Sequence, residues 1–172
     1  MSISQFDKKK DKKDFYLRLA SKFKKIKKIT GIEVLPQWLP VYAWYFGGSK
    51  KIEIFSNPMD LKILSKINLK ICFDSSHFLQ SCNYYQVNPD HFFFKNLKIY
   101  EHFHLSDAVG VYGEGVKLGK GDLLKTKLFK YILEQKKSIV VLETWQGHLN
   151  GGMGFKRDII NLYGKKNKIY RY

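Results

Sequence analysis

Apolar residues recur along this chain at two spacings, one helical and one strand-like. From Asp11 to Lys28, Phe15, Leu19, Phe23 and Ile26 fall four, four and three apart, which predicts a helix with one apolar stripe and a lysine-covered outer face. A basic amphipathic helix of this kind either covers a sheet, the commoner use, or lies on a membrane surface. Gly31 reads as its stop, and the apolar run from Ile32 to Leu35 as a first strand carrying Glu33. Residues 36–49 form a loop rich in large aromatics (Trp38, Tyr42, Trp44, Tyr45, Phe46) that closes on Gly47-Gly48; these rings could wall a pocket or cap a core. Pro58 suits a first helical turn, and Leu61, Leu64 and Ile67 continue that helix. The run from Leu69 to Phe73 is a second strand, and it stops at Asp74.

Beyond Asp74 the pattern predicts a loop over 78–88 and a short helical stretch over 90–97. Strict alternation in 99–106 sets Tyr100, His102, His104 and Ser106 on one face of a strand, with Glu101, Phe103 and Leu105 on the other. Five glycines punctuate 107–122 and predict a loop of tight turns. Asp122 is a candidate N-cap for a helix through Glu134, with Leu124, Leu128, Tyr131 and Ile132 inward. A last strand over 138–142 stops at Glu143, and a helix over 155–163 ends at Gly164. Strands and helices alternate, and the strands are nearly all apolar. This predicts an α/β fold: about four parallel strands with covering helices.

All four strands stop at or near a ligand-type side chain: Glu33, Asp74, His104 and Glu143. In a parallel α/β fold the C-terminal ends of strands form the ligand-binding face. Three carboxylates and one imidazole meeting there would suit a hard or borderline divalent ion, Mn²⁺ or Mg²⁺ ahead of Zn²⁺, with Co²⁺ also compatible. Taken singly, each residue could equally cap a helix or pair with a lysine. His77 could orient substrate or support a ligand from behind, and His102 shares the face of His104. Asp107, Glu114 within Gly-Glu-Gly, His148 and Trp38 are candidate substrate contacts.

Composition adjusts this picture. A chain of 172 residues fits one domain, divided here into a disordered basic N-terminus (1–10), the α/β domain (11–164) and a basic tail (165–172). The net charge of +16 comes almost wholly from lysine, since Arg18, Arg157 and Arg171 are the only arginines. Nucleic-acid readers lean on arginine for bidentate contacts, and no known nucleic-acid module is visible, so a nucleic-acid partner is disfavoured. Two cysteines, a polar N-terminus and no apolar run of spanning length predict a reduced, soluble, cytoplasmic protein.

The ordered set Glu33, Asp74-Ser-Ser-His77, His104-Leu-Ser-Asp107 and Glu143 resembles the metal site of the xylose isomerase-like TIM-barrel superfamily. The segments Gly113-Glu-Gly115, Gly119-Lys-Gly-Asp122 and Glu143-Thr-Trp-Gln-Gly-His148 extend the likeness, which covers roughly 15–163. That resemblance implies a divalent-metal-dependent sugar or sugar-phosphate isomerase or epimerase. Glu33 and Glu143 would act as acid and base through an enediolate, and Asp74 and His104 as ligands; a metal-assisted hydride shift would use the same set. A complete (β/α)₈ barrel needs about 250 residues. The resemblance thus implies a partial TIM barrel, its C-terminal half, which needs a second barrel half or a homodimer for closure. The alternative is a non-catalytic fragment or interaction module whose basic surface binds acidic partners; a metal-dependent phosphodiesterase is a third reading.

Overall fold

The apolar stripe of the first segment forms helix α1 (Lys9–Thr30), which buries Tyr16 and Ala20 and packs Phe15, Leu19 and Phe23 against the core. A polar cluster fastens it. The Tyr16 hydroxyl donates to Asp60 Oδ2 at 3.0 Å and accepts from the Phe55 amide at 3.0 Å, while Lys12 Nζ reaches Asp60 at 3.5 Å. The computed structural model describes residues 9–45 and 48–163. Most of the predicted N-terminal segment, Phe46 and Gly47 of the predicted aromatic loop, and Gly164 with the basic tail lie outside the described residues.

Among those residues the chain is a mixed α/β fold around one small parallel sheet. Its strands are β3 (Ile71–Asp74), β4 (Tyr100–Leu105) and β7 (Ile139–Leu142), in the order β3-β4-β7. Among the described residues there is no closed barrel. Helices α2 (Leu61–Lys66), α3 (Ser75–Tyr85), α4 (Pro89–Phe94) and α5 (Lys127–Leu133) accompany it, and α6 (Leu149–Tyr163) follows β7. Phe73, Phe78, Phe93, Ile99, Phe103 and Leu105 are fully buried and make the centre of the core. Two antiparallel hairpins sit outside the sheet: β1 (Tyr42–Tyr45) with β2 (Gly48–Lys51), and β5 (Asp107–Val109) with β6 (Gly113–Val116).

Three sequence expectations change here. The strand expected over 32–35 is absent; the chain instead pairs with β3 through a single parallel bridge at Gln37. The Cys72 amide donates to the Pro36 carbonyl at 3.0 Å, and the Trp38 amide to the Cys72 carbonyl at 2.9 Å. Proline fits because this edge position uses only its carbonyl. The loop expected over 78–88 is instead largely α3, started by Asp74, whose Oδ1 accepts from the His77 amide at 3.0 Å. Tyr100 lies in the core and not beside His102, because a register shift between Ile71 and Cys72 breaks the alternation of β4.

Near the C-terminus the sequence mistook a cap. Asp122 makes no side-chain cap; the amides of Lys127 and Leu128 at the start of α5 donate to Asp90, a residue of α4. α6 is interrupted at Asn150, Gly151 and Gly152, which have positive φ, so regular helix begins after them. The Thr144 hydroxyl donates to the buried Asp158 carboxylate and ties α6 to the end of β7.

The core lies on one face of the sheet, and the other face is covered at β3 but open at β7. Val140 and Leu142 pack inward, while Ile139 and Val141 are 66 % and 41 % exposed on the opposite face. Registered neighbours in a parallel sheet share a face. His102 is opposite both Cys72 and Ile139, and His104 is opposite both Asp74 and Val141, so all six belong to the face that is open at β7.

Candidate metal centre

The register of the sheet assembles the site. Asp74 closes β3, His104 lies beside it near the end of β4, and Glu143 follows β7, whose ladder continues as the Glu143 amide donates to the Leu105 carbonyl at 3.1 Å. One donor atom from each of the three lies within 4.8 Å of the other two. His104 Nδ1 is 2.6 Å from Glu143 Oε2 and 3.9 Å from Asp74 Oδ2. Cis donors on an octahedral ion at about 2.1 Å stand about 3 Å apart, and trans donors about 4 Å. The 3.9 Å spacing suits a shared cation, whereas the 2.6 Å contact is that of an imidazolium on a carboxylate and would open to about 3 Å around one.

An orphaned polar atom supports that fit. His104 Nδ1 is buried and, despite its short approach to Glu143, lacks the geometry of a hydrogen bond among the described residues. Buried nitrogens are normally satisfied, so this one, beside two carboxylates, occupies a place that a proton fills in the metal-free protein and that a cation could take over. Two carboxylates and one imidazole favour Mn²⁺ or Mg²⁺ and accept Zn²⁺ or Co²⁺.

The charges respond to this crowding. Burial pushes the Asp74 carboxyl up to about 6, against the pull of His77 and its backbone amide, with Glu143 adding to the rise. The Cys72 sulfur and then the Glu143 carboxylate raise the His104 imidazole to about 10. His104 in turn holds Glu143 below the ordinary carboxylate range. Burial, and then the neighbouring His104, lower His102. Without a cation, protons do the charge balancing at this site.

Other predicted residues divide between rim, core and elsewhere. His77 projects from the first turn of α3, with Nδ1 3.0 Å from the Trp38 carbonyl and 3.2 Å from Asp74 Oδ2, and Nε2 3.6 Å from Glu114 Oε2. Burial opposes its charge, but Glu114, Asp74 and the Trp38 carbonyl together raise its pKa. Glu114 thus stands at the rim beside His77. β6 is pinned there because the Gly115 amide donates to Ser76 Oγ at 2.9 Å, and a side chain at Gly115 would press on Trp145. His148 is exposed, on the wall of an open hollow of about 480 Å³ shared with Glu143, Trp145 and Phe155.

Three residues are not where the sequence placed them. Glu33 is at the other end of the sheet: it pairs with Lys27 at 2.7 Å and lines a hollow with Asn68, Leu69 and Lys70, the residues that lead into β3. Trp38 is fully buried against Phe78, its indole N–H donating to Ser81, so its ring is core and only its carbonyl borders the site. Asp107 is fully buried and its oxygens accept from the amides of Ala108, Leu123, Gly119 and Gly121 at 2.8–3.0 Å, which occupies it with its own loop.

Two residues at the site were missed. Gln37 Nε2 donates to Asp74 Oδ2 at 2.9 Å from the edge position that Glu33 was expected to fill. Cys72 lies two residues before Asp74 on the same face, a period-two signal that the sequence did contain. No protein-family model, curated protein or solved structure matches this chain.

Proposed function

We propose that the chain holds a divalent cation, Mn²⁺ or Mg²⁺ first, through Asp74, His104 and Glu143, and acts on a sugar or sugar phosphate as an isomerase or epimerase. The observation that carries the reading is the convergence of those three donors around the orphaned His104 Nδ1 at the C-terminal ends of parallel strands. Three protein donors leave positions for the vicinal hydroxyl and carbonyl oxygens of such a substrate. When bound, the cation would supply Lewis acidity next to the carbon that exchanges its proton. Glu143 is one candidate proton carrier. Glu33 is too remote for the second role, so the His77–Glu114 pair at the rim takes its place.

On this reading the sheet is part of a (β/α) barrel, completed by a second barrel half or a second copy of the chain. The exposed Ile139 and Val141 support it, as does β7, which pairs with β4 alone among the described residues. The displacement of Glu33 favours one other reading, a metal-binding domain without turnover whose basic surface meets an acidic partner.

Mn²⁺ titration followed by electron paramagnetic resonance, paired with solvent-deuterium wash-in to a panel of aldoses, ketoses and their phosphates, separates these readings. Wild type is expected to bind Mn²⁺ and to label substrate, and Asp74→Ala and His104→Ala to do neither. Binding without labelling selects the non-catalytic reading. An equal Mn²⁺ response in all three proteins removes both.

A further inference from the structure

His104 belongs also to a second group of donors, whose other members, Cys72 and His102, the proposed function does not use. One donor atom each from Cys72, His102 and His104 lie within 4.8 Å of one another. The sheet register builds this group: Cys72 is opposite His102 across β3 and β4, and His104 is two residues further along the same face. Cys72 is a free, buried thiol, and the two imidazoles are half-buried with ring centroids 5.2 Å apart at 76°. Rings set edge to face do not stack, so their nitrogen-bearing edges remain free to turn toward a common point. The His102 ring makes no hydrogen bond among the described residues, so no polar partner accounts for its place on this face.

We propose that Cys72, His102 and His104 form a second site, specific for a soft divalent cation such as Zn²⁺. One thiolate and two imidazoles with a fourth position open are a donor set that zinc accepts in tetrahedral sites. Sulfur excludes Mg²⁺ and disfavours Mn²⁺, so this site and the oxygen-rich one next to it select different classes of ion. On binding, the S–H bond of Cys72 is replaced by a sulfur–metal bond and the proton leaves to solvent. The site lies deeper along the strands than Asp74 and Glu143 and reaches solvent through the open face beside Ile139. Because His104 serves both groups, the two ions are held together only where each takes a different nitrogen of its ring, and the sulfur site can fill alone.

Co²⁺ titration of the full chain tests the proposal, since a cobalt–thiolate bond gives a charge-transfer band in the near ultraviolet. With excess Mg²⁺ present to occupy the oxygen-rich site, the band is expected to saturate at one equivalent and to be displaced by Zn²⁺. It should vanish in Cys72→Ser, persist in Cys82→Ser, and need at least about tenfold more Co²⁺ in His102→Asn, the order of loss that weakened coordination brings. Asp74→Asn should keep the band while losing Mn²⁺ binding, so the failure of one site is told apart from the failure of the other. The absence of the band, its survival in Cys72→Ser, or an unchanged Co²⁺ affinity in His102→Asn would overturn the proposal. If Cys72→Ser does not fold, the half-exposed His102→Asn variant decides alone.

Discussion

Two buried aspartates, Asp74 at the end of β3 and Asp107 at the start of β5, are equally hidden from solvent, at 1 % and 0 % exposure. Their surroundings make them different chemical objects. Asp107 takes four backbone N–H groups, two on each oxygen, and through them folds the glycine-rich segment that runs to Leu123. Gly121 is required for this: a Cβ there would lie 2.5 Å from Asp107 Oδ1 and 2.2 Å from the Ala108 carbonyl oxygen. Asp74 gives one oxygen to the cap of α3 and turns the other toward Gln37, His77 and His104. A carboxylate saturated by backbone amides has no lone pair left for a ligand. One held by side chains that can reorient does.

The same substitution should therefore have opposite effects at the two positions. Asp107→Asn places an NH₂ group against the amides of Gly119 and Gly121, or against those of Ala108 and Leu123. Leaving buried donors opposed costs about 4 kcal/mol, a large part of a domain's total stability. Urea denaturation should show this as a much lower midpoint. An effect below about 1 kcal/mol would show that the loop does not depend on this carboxylate.

Asp74→Asn keeps an acceptor for the His77 amide and removes a buried ionisable group. Burial raises this carboxyl from 3.8 to about 6, so folding favours its protonated form. The Asp74 contribution to stability is then complete below pH 3.8, declines between 3.8 and about 6, and stays reduced above. With EDTA present the variant should be more stable than wild type at pH 7 by up to about 3 kcal/mol, and the two should converge below about pH 4. Mn²⁺ affinity should meanwhile fall at least about a hundredfold, since even supporting residues around a metal cost ten- to a hundredfold. Wild-type Mn²⁺ binding should strengthen as pH rises from 5 to 7, because the ligands must shed protons. A pH-independent affinity would argue against these ligands.

The contrast also marks what the sequence could disclose. Asp74, His104 and Glu143 were legible because each lies at or next to the end of an apolar strand, and parallel pairing brings such ends together without any further information. The role of Asp107 was not legible, because its partners lie up to 16 residues away in a segment whose turns they themselves create. The segment that forms α3 has a weak apolar period, and its start depends on the Asp74 cap and on buried contacts of Phe78, Leu79 and Cys82. Tyr100 was assigned to the wrong face because one irregular residue in β4 inverts the parity of everything before it. Local rhythm located the strand ends. Long-range hydrogen bonding decided which of the acids there were free.

Gln37 offers a gain-of-function version of the comparison. Its amide lies 2.9 Å from Asp74 Oδ2, at the edge position where a fourth ligand would sit. Gln37→Glu would set two carboxylates side by side, which destabilises the metal-free protein by about 1–2 kcal/mol through like-charge repulsion. With Mn²⁺ present the added oxygen donor should tighten binding about tenfold and more than recover the loss. Calorimetric titration reads both effects. Weaker Mn²⁺ binding in this variant would mean that the cation does not sit between β3 and the edge segment.

The smallest expected effect is at Glu33, and it is informative because the sequence ranked this residue with the ligands. Its carboxylate pairs with Lys27 at 2.7 Å with both side chains about half exposed, 54 % for Lys27 and 50 % for Glu33. Ion pairs of that kind contribute about 0–1 kcal/mol, so Glu33→Gln should shift stability by no more than about 0.5 kcal/mol. Mn²⁺ affinity should not change, because Glu33 adjoins the residues entering β3 and the donors lie where the strand leaves the sheet. Gln37, in between, is held by the backbone bridge to Cys72 and fixes the direction of the edge segment. A clear loss of Mn²⁺ affinity in Glu33→Gln would require that bridge to break and the segment to slide toward the site by about four residues, roughly 13 Å of extended chain.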